Sequence, residues 1–276
     1  MGRSDANHGP ADGRIRWRRA AALTTALVGI ALLVTRYTGS TDSVVATCHA
    51  TTPTGVGSYL VTPEQAVNAA TIASVGRRAG LVSHAVTVAL ATAFQESHLH
   101  NLPYGDRDSL WLFQQRPSQG WGTPEQILQP RLASASFYSH LAKVPGWADL
   151  PVTDAAQAVQ RSAAPQAYAQ WEDPARALAR ALTGEVPAGL SCTLPPGDRP
   201  AAAAAVLALA AQDLGPQALQ RGGSTAATDW AEASWVVAHA QELFVRAVSC
   251  RGRTWTADSG RWQTDPAAAA VGVSFH

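Results

Sequence analysis

A glutamate closes an apolar, helix-forming run in Ala89-Leu90-Ala91-Thr92-Ala93-Phe94-Gln95-Glu96-Ser97. The residues upstream of Glu96 are Ala, Val and Leu, which gives its carboxyl group an apolar wall. Partial desolvation disfavours the charged form of a carboxyl and keeps it protonated nearer neutral pH. A protonated acid of that kind can donate to the leaving oxygen of a glycosidic bond. A helix-end Glu in an ordinary ion pair is the plainer reading of the same residue. Two more carboxyls, Asp106 and Asp108, stand in the polar loop that follows. Many glycosidases use two carboxyl groups, and their separation sets the stereochemistry. Asp106 and Asp108 could supply a base or charge stabiliser, or hold the loop through Arg107 and Arg116. The structural role is the expected one. His98 and His100, with His84 and His140, do not read as a metal site. Their i,i+2 spacing suits a strand rather than a helix end, and no acidic ligand is in register. No metal or cofactor is expected.

The loop leads into Ser109-Leu110-Trp111-Leu112-Phe113-Gln114-Gln115-Arg116-Pro117. A helix ending in Glu-Ser, then a Ser-x-Gly-Leu-Met/Phe-Gln element, resembles the lysozyme-like lytic transglycosylases. Three stretches carry the likeness: Phe94 to Ser97, Tyr104 to Ser109, and Leu112 to Gly122. They are also similar to actinobacterial exported proteins with such a domain. The resemblance covers roughly residues 60–184. It implies that Glu96 is the acid/base, that Ser97 helps to orient it and that Gln114 lines a saccharide cleft. Tyr168 looks similar to the late tyrosine that closes the cleft near the glutamate; a packing role for it is equally open. The family's single acid protonates the leaving oxygen, then helps the muramyl 6-hydroxyl to close an anhydro ring. Water in place of that hydroxyl would give a muramidase product. One departure stands at the family's glycine, which is Trp111 here. Glycine permits close backbone approach or a positive φ. Tryptophan adds strain or fills the groove, although it also stacks on sugar rings, so Trp111 is a substrate-binding candidate as well. The family's Tyr-Asn-Ala-Gly-like element is not recognisable.

These residues need helices to place them. Thr62-Pro63-Glu64-Gln65 and Thr123-Pro124-Glu125-Gln126 each read as N-cap, proline at N1 and glutamine at N3, a capping box. Helices are predicted from Thr62 towards Gly80, from Ser83 through Phe94, from Thr123 to Pro130, and around Phe137, Tyr138 and Leu141. Further helices start at Thr153 and cover 173–183. Residues 187–200 hold four prolines and two glycines and read as a linker. Beyond it, helices at 201–214 and 228–244 precede short strands at 245–250, 254–256 and 271–275. The fold class expected is mainly α: a lysozyme-like helical domain over 59–186, then a small α+β domain over 201–276, with an N-terminal transmembrane helix. Trp121, Trp147 and Trp171 could stack sugars but more often serve as core. Trp255 and Trp262 flank a turn and are expected to pack in a hairpin.

Residues 1–19 form a basic tail with Arg14, Arg16, Arg18 and Arg19, followed by an apolar stretch within 20–37. Basic residues before an apolar run keep the tail cytoplasmic and send the rest outward. The stretch reads as a membrane anchor or a cleaved signal. A linker over 38–58 follows. Export permits disulfides. Cys48 and Cys192 flank the helical segment and are expected to pair, leaving Cys250 buried on a strand. The whole chain of 276 residues has a net charge of +1, which argues against binding nucleic acid by phosphate neutralisation. With a single segment able to span a bilayer, a transporter is disfavoured. The expected function is cleavage of peptidoglycan glycan strands at the cell membrane, or after secretion. The alternative is a catalytically weak peptidoglycan-binding or envelope-assembly module.

Overall fold

A computed structural model describes Met1 and residues 44–52, 55, 57–219, 225–268 and 272–276. The chain divides into two units, Met1–Ser43 and Val44–His276, and of the first only Met1 is described. The expected transmembrane helix within 20–37 lies outside the described residues. Among the described residues no helix is long and apolar enough to cross a membrane.

The expected fold class needs correction. Among the described residues the protein is mixed α+β, 47% helix and 13% strand, with two antiparallel sheets. The first sheet has order β2-β1-β3, from β1 (Thr47–Thr51), β2 (Ser58–Val61) and β3 (Leu190–Thr193). β1 falls in the segment read as a linker. Its buried positions are Cys48 and Ala50, too small to advertise an alternating apolar face. The second sheet has order β6-β5-β4-β7, from β4 (Ala247–Cys250), β5 (Arg253–Thr256), β6 (Arg261–Thr264) and β7 (Val273–Phe275). Trp255 and Trp262 face each other across the β5–β6 hairpin. Both donate their indole N–H to carbonyls of β3, Trp255 to Cys192 and Trp262 to Leu190. These bonds join the two sheets, so Val44–His276 folds as one unit around a shared core rather than as a helical domain followed by a separate one.

The helices are α1 (Pro63–Arg78), α2 (Ser83–Ser97), α3 (Pro124–Ile127), α4 (Pro130–Leu141), α5 (Val152–Gln160), α6 (Glu172–Leu182), α7 (Ala203–Asp213) and α8 (Ala226–Leu243). Both expected capping boxes are formed, by Thr62 with Gln65 and by Thr123 with Gln126. α2 is buried from Ala85 to Phe94. A helix apolar on all sides belongs at the centre, and α1, α5 and α6 surround it. α8 packs on α1 and α6. At Gly184 a Cβ would lie 1.8 Å from the Ala227 carbonyl oxygen, so the approach of the end of α6 to α8 requires glycine.

A buried polar cluster joins α4, α7 and α8. Asp213 accepts from Arg131 and from the Trp235 indole, with His239 Nε2 3.8 Å away. Burial is the main reason that His239 is held at about 4, and the nearby Glu242 is pushed upward. The unfolded chain therefore binds a proton at His239 that the folded chain refuses. Stability should fall as pH drops from 6.5 towards 4, by up to a few kcal/mol. Denaturant midpoints across that range would check this, and a midpoint flat with pH would contradict it.

Candidate active site

Glu96 lies at the C-terminal end of α2, half-buried. The helix stops because His98 and Leu99 both take left-handed backbone conformations. Side chains from α1 secure that exit: Gln65 donates to the His98 carbonyl at 2.8 Å and Asn68 to the Leu99 carbonyl at 2.7 Å. The acid thus sits on a rigid support.

Three neighbours shape its chemistry. The Tyr168 hydroxyl donates to Glu96 Oε1 at 2.8 Å. The Gln160 side chain, at the end of α5, is near enough to act on the carboxyl as well. Burial raises the Glu96 pKa, and these two neighbours pull in the opposite direction without cancelling the rise. Tyr168 is fully buried, and burial together with the adjacent Glu96 holds its phenol well above the ordinary range, so it stays a donor. The loop carrying Tyr168 is anchored beside it. Trp171 donates its indole N–H to Gln95 Oε1 at 2.9 Å and stacks on Phe94 at 5.2 Å. Thr153 bonds the Pro165 carbonyl.

Ser97 faces inward and donates to the Ala93 and Leu112 carbonyls at 3.0 and 2.8 Å. Its role is to fasten the 110–115 turn to the end of α2. Gln160 fastens the same turn through the Phe113 carbonyl at 2.9 Å. The turn is closed by a bridge between Leu110 and Gln115, and Phe113 stacks on Phe137 behind it. Trp111 within it has φ 67°, the left-handed conformation that glycine takes most readily. Its indole nitrogen is buried without a hydrogen-bond partner among the described residues. Gln114, also left-handed, turns its amide into its own loop, donating to the Tyr104 and Trp111 carbonyls.

Of the two aspartates, Asp108 holds the loop. Asp108 accepts from Arg116 at 2.7 Å and from the Ser118 amide at 2.9 Å. Arg116 first, then Ser118, keep its carboxyl far below the usual range. Asp106 is exposed and lies 3.8 Å from Arg107. The structure therefore joins Glu96 to Tyr168 directly and ties Ser97 in through the turn, while Gln114 and the aspartates point to loop partners. Gln160 and Gln95 were not singled out from the sequence. A glutamine at a helix end carries no distinguishing signal there.

Among the described residues no three His, Cys, Asp or Glu side chains converge as a metal site. His100 pairs with Glu64 at 2.9 Å, and His140 bonds the Ser136 carbonyl. Cys48 and Cys192, opposite each other on β1 and β3, form a disulfide. Cys250 is buried as a free thiol, pushed up to about 12 chiefly by that burial.

The Tyr168 bond makes a pH prediction. Tyr168→Phe removes a donor that favours the ionised carboxylate, so Glu96 rises further. The Glu96 titration midpoint, read by NMR of the carboxyl carbon, should move to higher pH. An unmoved midpoint would show that the hydroxyl does not tune Glu96.

No protein-family model matches this chain, and no curated protein matches it significantly in sequence. The functional argument therefore rests on the site's own geometry and on the motif residues.

Proposed function

We propose that the protein cleaves glycosidic bonds in the glycan strands of peptidoglycan, with Glu96 as the single acid/base. The observation that carries this reading is a half-buried carboxyl with a raised pKa, held in one orientation by the Tyr168 hydroxyl. At any given pH such a group stays protonated in a larger fraction of molecules than an exposed glutamate does, which favours proton donation. In the first step Glu96 gives its proton to the glycosidic oxygen as the C–O bond to the sugar breaks. The resulting carboxylate is stabilised by Tyr168 and Gln160. In the second step the carboxylate takes a proton from the attacking hydroxyl. That hydroxyl is the 6-hydroxyl of the same muramyl unit, which closes an anhydro ring, or it is water. Asp108 is committed to Arg116, and Asp106 extends into solvent, so neither is given a chemical role. An exported location fits the Cys48–Cys192 bridge, because disulfides persist in oxidising compartments.

A second reading, a peptidoglycan-binding module with weak catalysis, is favoured by Trp111 at the strained turn position. Dye-labelled peptidoglycan separates the two. Soluble dye released by the wild-type protein supports the enzyme. Co-sedimentation with the insoluble polymer and no release supports the module.

A further inference from the structure

A groove of about 610 Å³ opens at the ends of α4 and α5. Its lining includes Trp121, His140, Lys143, Gln160 and Arg161, and no acidic side chain. Gln160 lies at the groove, fastens the 110–115 turn and acts on the Glu96 carboxyl, so it links groove and acid. Lys143 follows the end of α4, and Arg161 follows the end of α5, where a left-handed backbone ends the helix. Among the described residues neither cation has a carboxylate within ion-pair distance. The Trp121 ring is held against His140 at 4.0 Å, and its carbonyl accepts from Ser136. An aromatic ring and two cations without carboxylate partners among the described residues, lining one groove, suit a sugar that carries carboxylates. An uncharged chitin-like chain would leave both cations without a role.

Resting on the function proposed above, we infer that this groove is the subsite for the acidic arm of the glycan strand. Lys143 and Arg161 bind the lactyl-linked peptide carboxylates, and Trp121 carries the adjoining sugar ring. The groove makes the protein selective for glycan bearing acidic stems over bare or amidated glycan.

The test uses the full chain carrying Glu96→Gln, to prevent turnover, and calorimetric binding of four probes. These are a disaccharide muropeptide with free carboxylates, its fully amidated form, chitotetraose and polyphosphate. Adding Lys143→Gln and Arg161→Gln should weaken the acidic muropeptide about tenfold, the scale expected for two solvent-exposed charge contacts. Binding of the amidated muropeptide and chitotetraose should not change. Both cations are exposed, so the variants leave the core intact. Equal losses for charged and uncharged glycans, or no loss at all, would overturn the inference. So would polyphosphate binding as tightly as the muropeptide, which would mark a general anion patch. If Glu96-dependent cleavage of peptidoglycan persists while the charge variants have no effect, the subsite fails and the proposed function stands. If no glycan binds and none is cleaved, both fail.

Discussion

Glu96→Gln is expected to reduce glycan cleavage about a thousandfold, within the range for removing a general acid/base. The substitution is nearly isosteric and keeps an acceptor oxygen for the Tyr168 hydroxyl. Folding should survive it, and stability should improve at neutral pH. The sign follows from the raised pKa. The folded state binds the Glu96 proton more tightly than the unfolded state, so the wild type loses stability as pH rises through the folded pKa. A glutamine has no such loss. Thermal melts at neutral pH should therefore place the variant at or above the wild type while its activity is gone. Lost activity together with a lowered melting point would point to a structural role for Glu96. An unchanged rate would remove it from the mechanism.

Replacing both Cys48 and Cys192 by alanine is expected to be the most destabilising change in the molecule. The bridge spans a sequence separation of 144 residues. Closing so long a loop restricts the unfolded chain and contributes about 3–5 kcal/mol. For a chain of this size the midpoint of thermal unfolding should fall by about 10 °C. The bridge pins the central strand of the first sheet to β3, and β3 receives the indole bonds from Trp255 and Trp262. Its loss should therefore loosen the seam between the two sheets before it reaches α2. Thiol titration in denaturant provides the control. One thiol should react without reductant, from Cys250, and three with it. Three reactive thiols without reductant would show that the bridge does not form.

Several parts of this arrangement were legible in the residues. The two Thr-Pro-Glu-Gln boxes started α1 and α3 where expected, because capping chemistry is local and its donors and acceptors lie three residues apart. The pairing of Cys48 with Cys192 was also expected from their positions flanking the helices. The first sheet was not legible. Thr47 to Thr51 carries its buried face on Cys48 and Ala50, and β3 has Leu190 and Cys192 beside a proline-rich stretch that suggests a boundary. Strand pairing over such a distance leaves no local trace. The same reason hid the shared core: the two halves are linked by the packing of α8 on α1 and α6 and by indole N–H groups reaching backbone carbonyls, contacts that leave no local signature. At the site, the apolar wall of Glu96 could be read from α2, whereas its partner Gln160 is one glutamine among many. Trp111 takes a φ of 67°, a backbone conformation that glycine adopts at lower cost.

The most direct measurement is mass spectrometry of the fragments released from purified peptidoglycan by the full chain and by its Glu96→Gln variant. The account predicts muropeptides with new anhydro-muramyl or reducing ends from the wild type and none above background from the variant. The same fragments in equal amounts from both proteins would contradict it.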